Sequence, residues 1–134
     1  MNASTTQGIV LFAHGARDPR WALPFEAVAA RLLARAPAVQ VRLAFLELMT
    51  PDLPTAAAEL AAAGCTEVTV LPLFLGAGGH VRKDLPLIVD GLRAAHPSVR
   101  WDLQPPVGEL PSVIDAMAGA AMDALGRRSA QERD

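Results

Sequence analysis

Three side chains in this sequence could handle a metal ion: His14, Glu47 and His80. Two imidazoles and one carboxylate form the ligand set of an open catalytic site for a borderline divalent cation. Three protein ligands leave positions free for water or substrate. A carboxylate beside such a metal can also accept a proton. Each residue lies at or just beyond the end of an apolar run. His14 follows Gly8–Ala13 (G-I-V-L-F-A), Glu47 closes Val39–Glu47, and His80 follows Glu67–Leu75 and the loop Gly76-Ala77-Gly78-Gly79. Taken singly, each has a plainer explanation as a hydrogen-bonded loop histidine or a solvated strand-end charge. Four cations, Arg17, Arg20, Arg82 and Lys83, stand near them in the chain. They suit the carboxylates of an anionic substrate, and they equally suit solvated surface.

A common placement for these residues requires particular elements. Short continuous apolar runs bounded by turn signals read as strands buried on both faces, as in parallel sheets. The runs at Gly8–Ala13, Val39–Glu47, Glu67–Leu75 and Val99–Leu103 give four strands. Between them, amphipathic or alanine-rich stretches give helices over Trp21–Ala36, from Thr50 (as N-cap) to Ala63, over about Val81–Ala95, and over Pro111–Leu125. The β-α repeat with short connections calls for one open parallel four-stranded sheet with right-handed crossovers and helices on both faces. The first and third strands are the most continuously apolar and should be central, giving the order 2-1-3-4. In that order His14, Glu47 and His80 share the carboxyl edge of three adjacent strands, where ligands bind in such sheets.

Composition narrows the function classes. The 134 residues fit one domain and carry 51% hydrophobic residues, a net charge of −2 and one cysteine. No broad basic field argues for nucleic acid. No apolar stretch approaches the roughly 20 residues of a membrane span, and no signal peptide is apparent. One cysteine rules out an internal disulfide framework and fits a reducing cytoplasm. The expected organisation is a flexible 1–7, a single α/β domain over 8–126, and a charged, frayed tail over 127–134. Cys65, with no activating base nearby, reads as structural. His96 reads as a helix-end cation. Trp21, Phe45 and Phe74 read as core or cleft wall. The glycine loop could cradle a phosphate, as in a flavodoxin-like module. Its spacing nevertheless matches neither G-x-G-x-x-G nor a P-loop. Ala13 stands before His14-Gly15, so the arginine of an R-H-G phosphatase signature is absent.

Several blocks together identify a family. A-H-G-A-R-D-P at Ala13–Pro19, A-F-L-E at Ala44–Glu47, P-L-F-L-G-A-G-G-H-V-R-K-D-L-P at Pro72–Pro86 and P-P-V-G at Pro105–Gly108 resemble the small CbiX/SirB-type sirohydrochlorin chelatases. These are class II chelatases, relatives of ferrochelatase. The resemblance runs from about Gly8 to Leu125. It implies that His14 and His80 are the metal-binding and catalytic histidines, with Glu47 the acidic ligand. It implies a tetrapyrrole substrate, whose carboxylates the rim residues Arg17, Arg20, Gly78, Gly79, Arg82 and Lys83 are expected to meet, and a divalent metal (Co²⁺, with Fe²⁺ and Ni²⁺ also open) as co-substrate without an organic cofactor. It further implies a homodimer, because the short forms resemble one half of two-domain chelatases. A non-catalytic metal or tetrapyrrole carrier would use the same residues. One departure is visible: many relatives carry a histidine in a G-x-H-P-like setting where this chain has Gly108-Glu109-Leu110-Pro111.

Overall fold

Four apolar runs become four parallel strands: β1 (Gln7–Ala13), β2 (Gln40–Phe45), β3 (Glu67–Pro72) and β4 (Arg100–Leu103). Their order is β2-β1-β3-β4, as the apolar continuity of the first and third runs requires. The structure, a computed structural model, describes residues 5–133, with side chains described through Arg127. Residues 1–4, most of the stretch expected to be flexible, lie outside the described residues. Thr6 and Gln7 are tied to the sheet: Thr66 donates its backbone N–H to the Thr6 carbonyl at 2.9 Å, and Gln7 opens β1.

The strands alternate their side chains between two faces. One face carries Val10, Phe12, Ala44, Val68, Val70 and Trp101. It is covered by α2 (Leu53–Ala62) and α3 (Gly79–Ala95), whose Leu53, Ala56, Leu60, Leu85, Val89 and Leu92 complete the main core. The alanines of α2 let that helix sit close to the sheet, and Ala56, Ala57 and Leu60 are fully buried. Cys65 belongs to this core; burial pushes its thiol up, consistent with a structural role. The opposite face holds a smaller cluster of Ala13, Ala22 and Phe45, with Trp21, Phe25 and Leu43 packed on it. Here lies α1 (Leu23–Arg35), preceded by a short 3-10 helix, Pro19–Ala22. No α1 side chain is fully buried.

Several boundaries differ from the sequence reading for local reasons. The helix expected to be capped by Thr50 starts later. Asp52 is the N-cap, with extended backbone and a carboxylate that accepts the Thr55 N–H at 2.9 Å. The second and third strands end at Phe45 and Pro72, so Glu47 and Phe74 stand in loops. The helix α3 begins two residues before Val81 and takes in His80. Pro86 lies inside it, where its ring nitrogen forgoes the bond to the carbonyl four residues back. The last helix, α4 (Pro111–Arg133), continues through the stretch expected to fray. No helix among the described residues is long and apolar enough to cross a membrane.

Candidate active site

The carboxyl edge of β1 and β2 is built by backbone contact. Beyond the strands the pairing continues: Leu46 donates to the Ala13 carbonyl at 2.9 Å and Glu47 to the His14 carbonyl at 3.1 Å. Gly15 makes this closeness possible. Its φ is +100°, and a Cβ there would lie 1.8 Å from the Glu47 carbonyl oxygen. After Glu47 the chain turns at once. Met49 donates to the Glu47 carbonyl at 2.8 Å, and Leu48 sits in the left-handed region at φ 64°, a strained conformation for a branched side chain. These constraints bring His14 Nε2 to 3.2 Å from Glu47 Oε1, with both side chains about half exposed. The pair is preformed and still accessible to a cation from solvent.

Aromatic residues wall this pair. The His14 ring meets Phe74 edge-on at 6.0 Å, and Phe74 in turn packs on Phe12. A cavity of about 350 Å³ opens here, lined by His14, Trp21, Leu73, Phe74, Leu75, Gly76, Gly78 and Val81. The residue Trp21 also stacks against Phe25 at 4.6 Å. Of the three aromatics read as core or cleft wall, Trp21 and Phe74 line the cavity, and Phe74 also belongs to the main core. Phe45 is buried beside Trp21 and belongs to the core.

His80 stands apart. It is exposed in the first turn of α3, between Gly78 and Val81, which both line the cavity that His14 enters. Among the described residues no three His, Cys, Asp or Glu side chains form a metal-holding cluster. The sheet order therefore puts His14, Glu47 and His80 on one edge, and the structure joins only the first two. Gly78 is the N-cap of α3 and has no side-chain bond to offer; Gly79 follows it. A Cβ at Gly76, Gly78 or Gly79 would meet nothing within 4 Å, so no close contact requires glycine at these positions.

The four rim cations divide into two kinds. Arg20 forks onto Asp18, with Nη2–Oδ2 at 2.8 Å, and the arginine holds the Asp18 carboxyl below its ordinary value. Arg82 donates its Nε to the Ala77 carbonyl at 3.0 Å and pairs with Glu109. Arg17 and Lys83 are exposed and have no carboxylate partner among the described residues. The partner of Arg82 was missed in the sequence, where Glu109 registered only as the residue standing near an expected histidine. Its contact depends on Gly108. A Cβ at Gly108 would lie 1.7 Å from the Leu75 carbonyl oxygen, and the Gly108 N–H donates to Phe74 at 3.0 Å. A second cavity lies beyond this pair, between Val81, Leu85 and Pro86 of α3 and Leu103–Pro106.

Comparison with known proteins agrees with this architecture. The family model CbiX matches residues 8–124. A sirohydrochlorin cobaltochelatase of Methanosarcina acetivorans is 33% identical over 82 residues, 61% of this chain and 63% of the relative, so the chain spans less than two thirds of that relative's length. The crystal structure of a cobalamin biosynthesis CbiX protein from Marinobacter aquaeolei superimposes with a TM-score of 0.79 at 35% identity. That match covers 90% of this chain and 98% of the other. The sirohydrochlorin chelatase SirB from Bacillus subtilis subspecies spizizenii, solved in complex with cobalt, superimposes at 0.75 with 26% identity, covering 89% of this chain and 51% of SirB.

Proposed function

This chain belongs to the CbiX family, and from that premise we propose that it inserts a divalent metal into sirohydrochlorin as a homodimer in the cytoplasm. The observation that carries the reading is the His14–Glu47 pair, 3.2 Å apart, whose histidine lines an aromatic-walled cavity at the carboxyl edge of a parallel sheet. Such a pair supplies a borderline nitrogen donor and a hard oxygen donor while leaving the remaining metal positions open. The metal is proposed to be Co²⁺, because the relative from Methanosarcina acetivorans bears the cobaltochelatase name and SirB was solved with cobalt.

Insertion exchanges two pyrrole protons for one M²⁺, so the site must strip water from the metal and take up protons. His14 and Glu47 hold the incoming ion and remove part of its water shell. One of them, once the metal moves on, accepts one of the two pyrrole protons, and the other passes to solvent water. Trp21 and Phe74 present flat apolar surface to the macrocycle. A bent macrocycle would aim a nitrogen lone pair at the metal. The peripheral carboxylates are met by Arg17 and Lys83, which have no carboxylate partner among the described residues. His80 reaches the metal from the other rim of the cavity when the glycine loop closes.

The test is an anaerobic absorbance assay of the purified protein with sirohydrochlorin and, in separate reactions, Co²⁺, Fe²⁺ and Ni²⁺. A protein-dependent spectral change faster than the uncatalysed reaction is expected, fastest with Co²⁺ and lost in His80→Ala with an unchanged far-UV circular dichroism spectrum. Bound tetrapyrrole with no acceleration by any metal would replace the enzyme with a carrier.

A further inference from the structure

Two residues after His80, Arg82 makes three attachments. Among the described residues, the one side-chain hydrogen bond to residues 76–79 comes from its Nε, which donates to the Ala77 carbonyl at 3.0 Å. The Arg82 backbone N–H donates to the Gly78 carbonyl at 3.0 Å, and Nη2 pairs with Glu109. One residue thus ties the glycine loop, the first turn of α3 and the loop after β4. Glu109 is the anchored end. Its 3-10 helix, Val107–Glu109, is fixed by the close approach of Gly108 to Leu75 and by two backbone bonds. The Gly108 N–H donates to the Phe74 carbonyl at 3.0 Å, and the Glu109 N–H to the Pro106 carbonyl at 2.9 Å.

These attachments have a direction. The sheet order is β2-β1-β3-β4, so Glu109, after β4, stands across β3 from the loops that carry His14 and Glu47. His80 and Arg82 lie two residues apart on α3, about 200° around the helix axis. A pull on Arg82 toward Glu109 therefore holds the His80 turn on the β4 side. That turn is also a partition. Val81 lines both the cavity that His14 enters and a cavity of about 380 Å³ bordered by Arg82 and Glu109. The hold is weak. The Arg82 and Glu109 side chains are 56% and 36% exposed, and an exposed ion pair shifts an equilibrium by about five-fold at most. A second carboxylate that reaches the guanidinium competes on nearly equal terms, and Glu109, once released, is hydrated where it stands.

We propose that Glu109 is a positioning residue: it occupies Arg82 in place of a substrate carboxylate and so keeps the His80 turn open. A peripheral carboxylate of the macrocycle displaces Glu109, and Arg82 follows it toward the His14 cavity, carrying the first turn of α3. The inference rests on the function proposed above and names the group on the substrate that triggers closure. The exchange favours the substrate for a geometric reason. Nε and Nη2 are engaged singly, by Ala77 and Glu109, so neither present partner makes the two parallel N–H···O bonds that a carboxylate can accept from a guanidinium. The pair therefore selects a macrocycle by its charge. One without peripheral carboxylates leaves Glu109 on Arg82 and His80 away from His14 and Glu47.

The experiment titrates the full chain anaerobically with sirohydrochlorin in the absence of metal. It follows quenching of tryptophan fluorescence, since Trp21 stands in the cavity wall. Glu109→Ala should tighten binding by about three- to five-fold, and Arg82→Ala should weaken it by about ten-fold. The chain with both substitutions should match Arg82→Ala. Glu109→Gln keeps the length and an acceptor without the charge, and should tighten binding by a smaller factor; it carries the test if the alanine variant does not fold. Without ligand, both Glu109 variants should speed amide hydrogen exchange in residues 76–80. The opposite signs at the two partners are the signature, because a brace that only supports the site weakens binding when either partner is removed. Weaker binding in all variants, indifference to Glu109, or unchanged exchange in residues 76–80 would overturn the proposal and leave the chelatase standing. The expected signs in a chain that inserts no metal would remove the chelatase and keep Glu109 in its role. No binding of sirohydrochlorin by the wild-type chain would overturn both.

Discussion

Two pairs of loops meet at the carboxyl edge, and they are built alike. In each, a glycine lies directly against the neighbouring loop's backbone: Gly15 on Glu47, and Gly108 on Leu75. In each, a side-chain pair spans the junction: His14 with Glu47, and Arg82 with Glu109. Their chemistry differs. The first pair leaves donor atoms for a cation, because neutral imidazole has a lone pair and the carboxylate has further acceptor sites. In the second, a permanent guanidinium neutralises the carboxylate and repels a metal. The halves also differ in how they are held. The helix after the Glu47 loop is capped by Asp52, whereas the helix after the glycine loop starts at Gly78 with no side-chain cap. We therefore propose metal capture for the half whose helix is capped, as the fixed half, and movement for the half that carries His80.

The sharpest separation of the two halves comes from the histidines. His14→Ala should abolish Co²⁺ binding by calorimetry and slow insertion by about 10²–10⁴-fold. His80→Ala should lose insertion to a similar extent and keep measurable Co²⁺ binding through His14 and Glu47. Equal loss of binding in both variants would mean that the loop already closes without substrate, and the division into fixed and movable halves would fail.

The glycines come next in size. Gly15→Ala and Gly108→Ala each force a methyl onto a carbonyl oxygen, and each should cost about 1–3 kcal/mol in urea unfolding. Gly15→Ala adds a left-handed φ that alanine tolerates poorly. Only Gly15→Ala should weaken Co²⁺ binding. A comparable loss in Gly108→Ala would show that the β3–β4 junction also shapes the metal pair. A smaller effect is expected at the second ion pair. Arg82→Ala should change stability by no more than about 1 kcal/mol, as for other exposed pairs. It should speed amide hydrogen exchange across residues 76–80, because the Ala77 carbonyl loses its donor.

Much of this was legible in the chain because it is local. Apolar continuity ranked β1 and β3 as central, and glycines and prolines marked where each strand stops, so the sheet order and the shared edge of His14, Glu47 and His80 followed. The details that escaped depend on non-local contact. Thr50 and Asp52 are both good caps, and only the folded backbone shows that Asp52 meets Thr55. Glu109 carried no signal of its own, because its partner, Arg82, lies 27 residues away. The last helix was legible over Pro111–Leu125, but its continuation to Arg133 was not, because the charged residues beyond Leu125 carry no apolar period. The separation of His80 from the His14–Glu47 pair is set by the path of the glycine loop, which a run of glycines in the sequence does not specify.

The smallest expected effect tests the fixed half through its cap. Hydrogen bonds from the Thr55 side chain and backbone N–H hold the Asp52 carboxyl below its ordinary value. A group whose folded pKa is depressed adds stability above its unfolded pKa and loses it as pH falls through the folded one. Asp52→Ala should therefore lower the thermal midpoint by a few degrees at pH 7. The gap to wild type should narrow below about pH 4, where the unfolded carboxyl takes up its proton. Asp52→Asn keeps an acceptor oxygen and should track wild type at pH 7 without that pH dependence. The cap stands five residues after Glu47, and Phe45 donates to the Pro51 carbonyl at 2.9 Å between them. Loss of the cap should therefore raise hydrogen exchange in residues 46–50 and leave residues 76–80 unchanged. A rise in both stretches would mean that the two halves of the edge move as one, and the rigidity assigned to the His14–Glu47 side would belong to the whole edge.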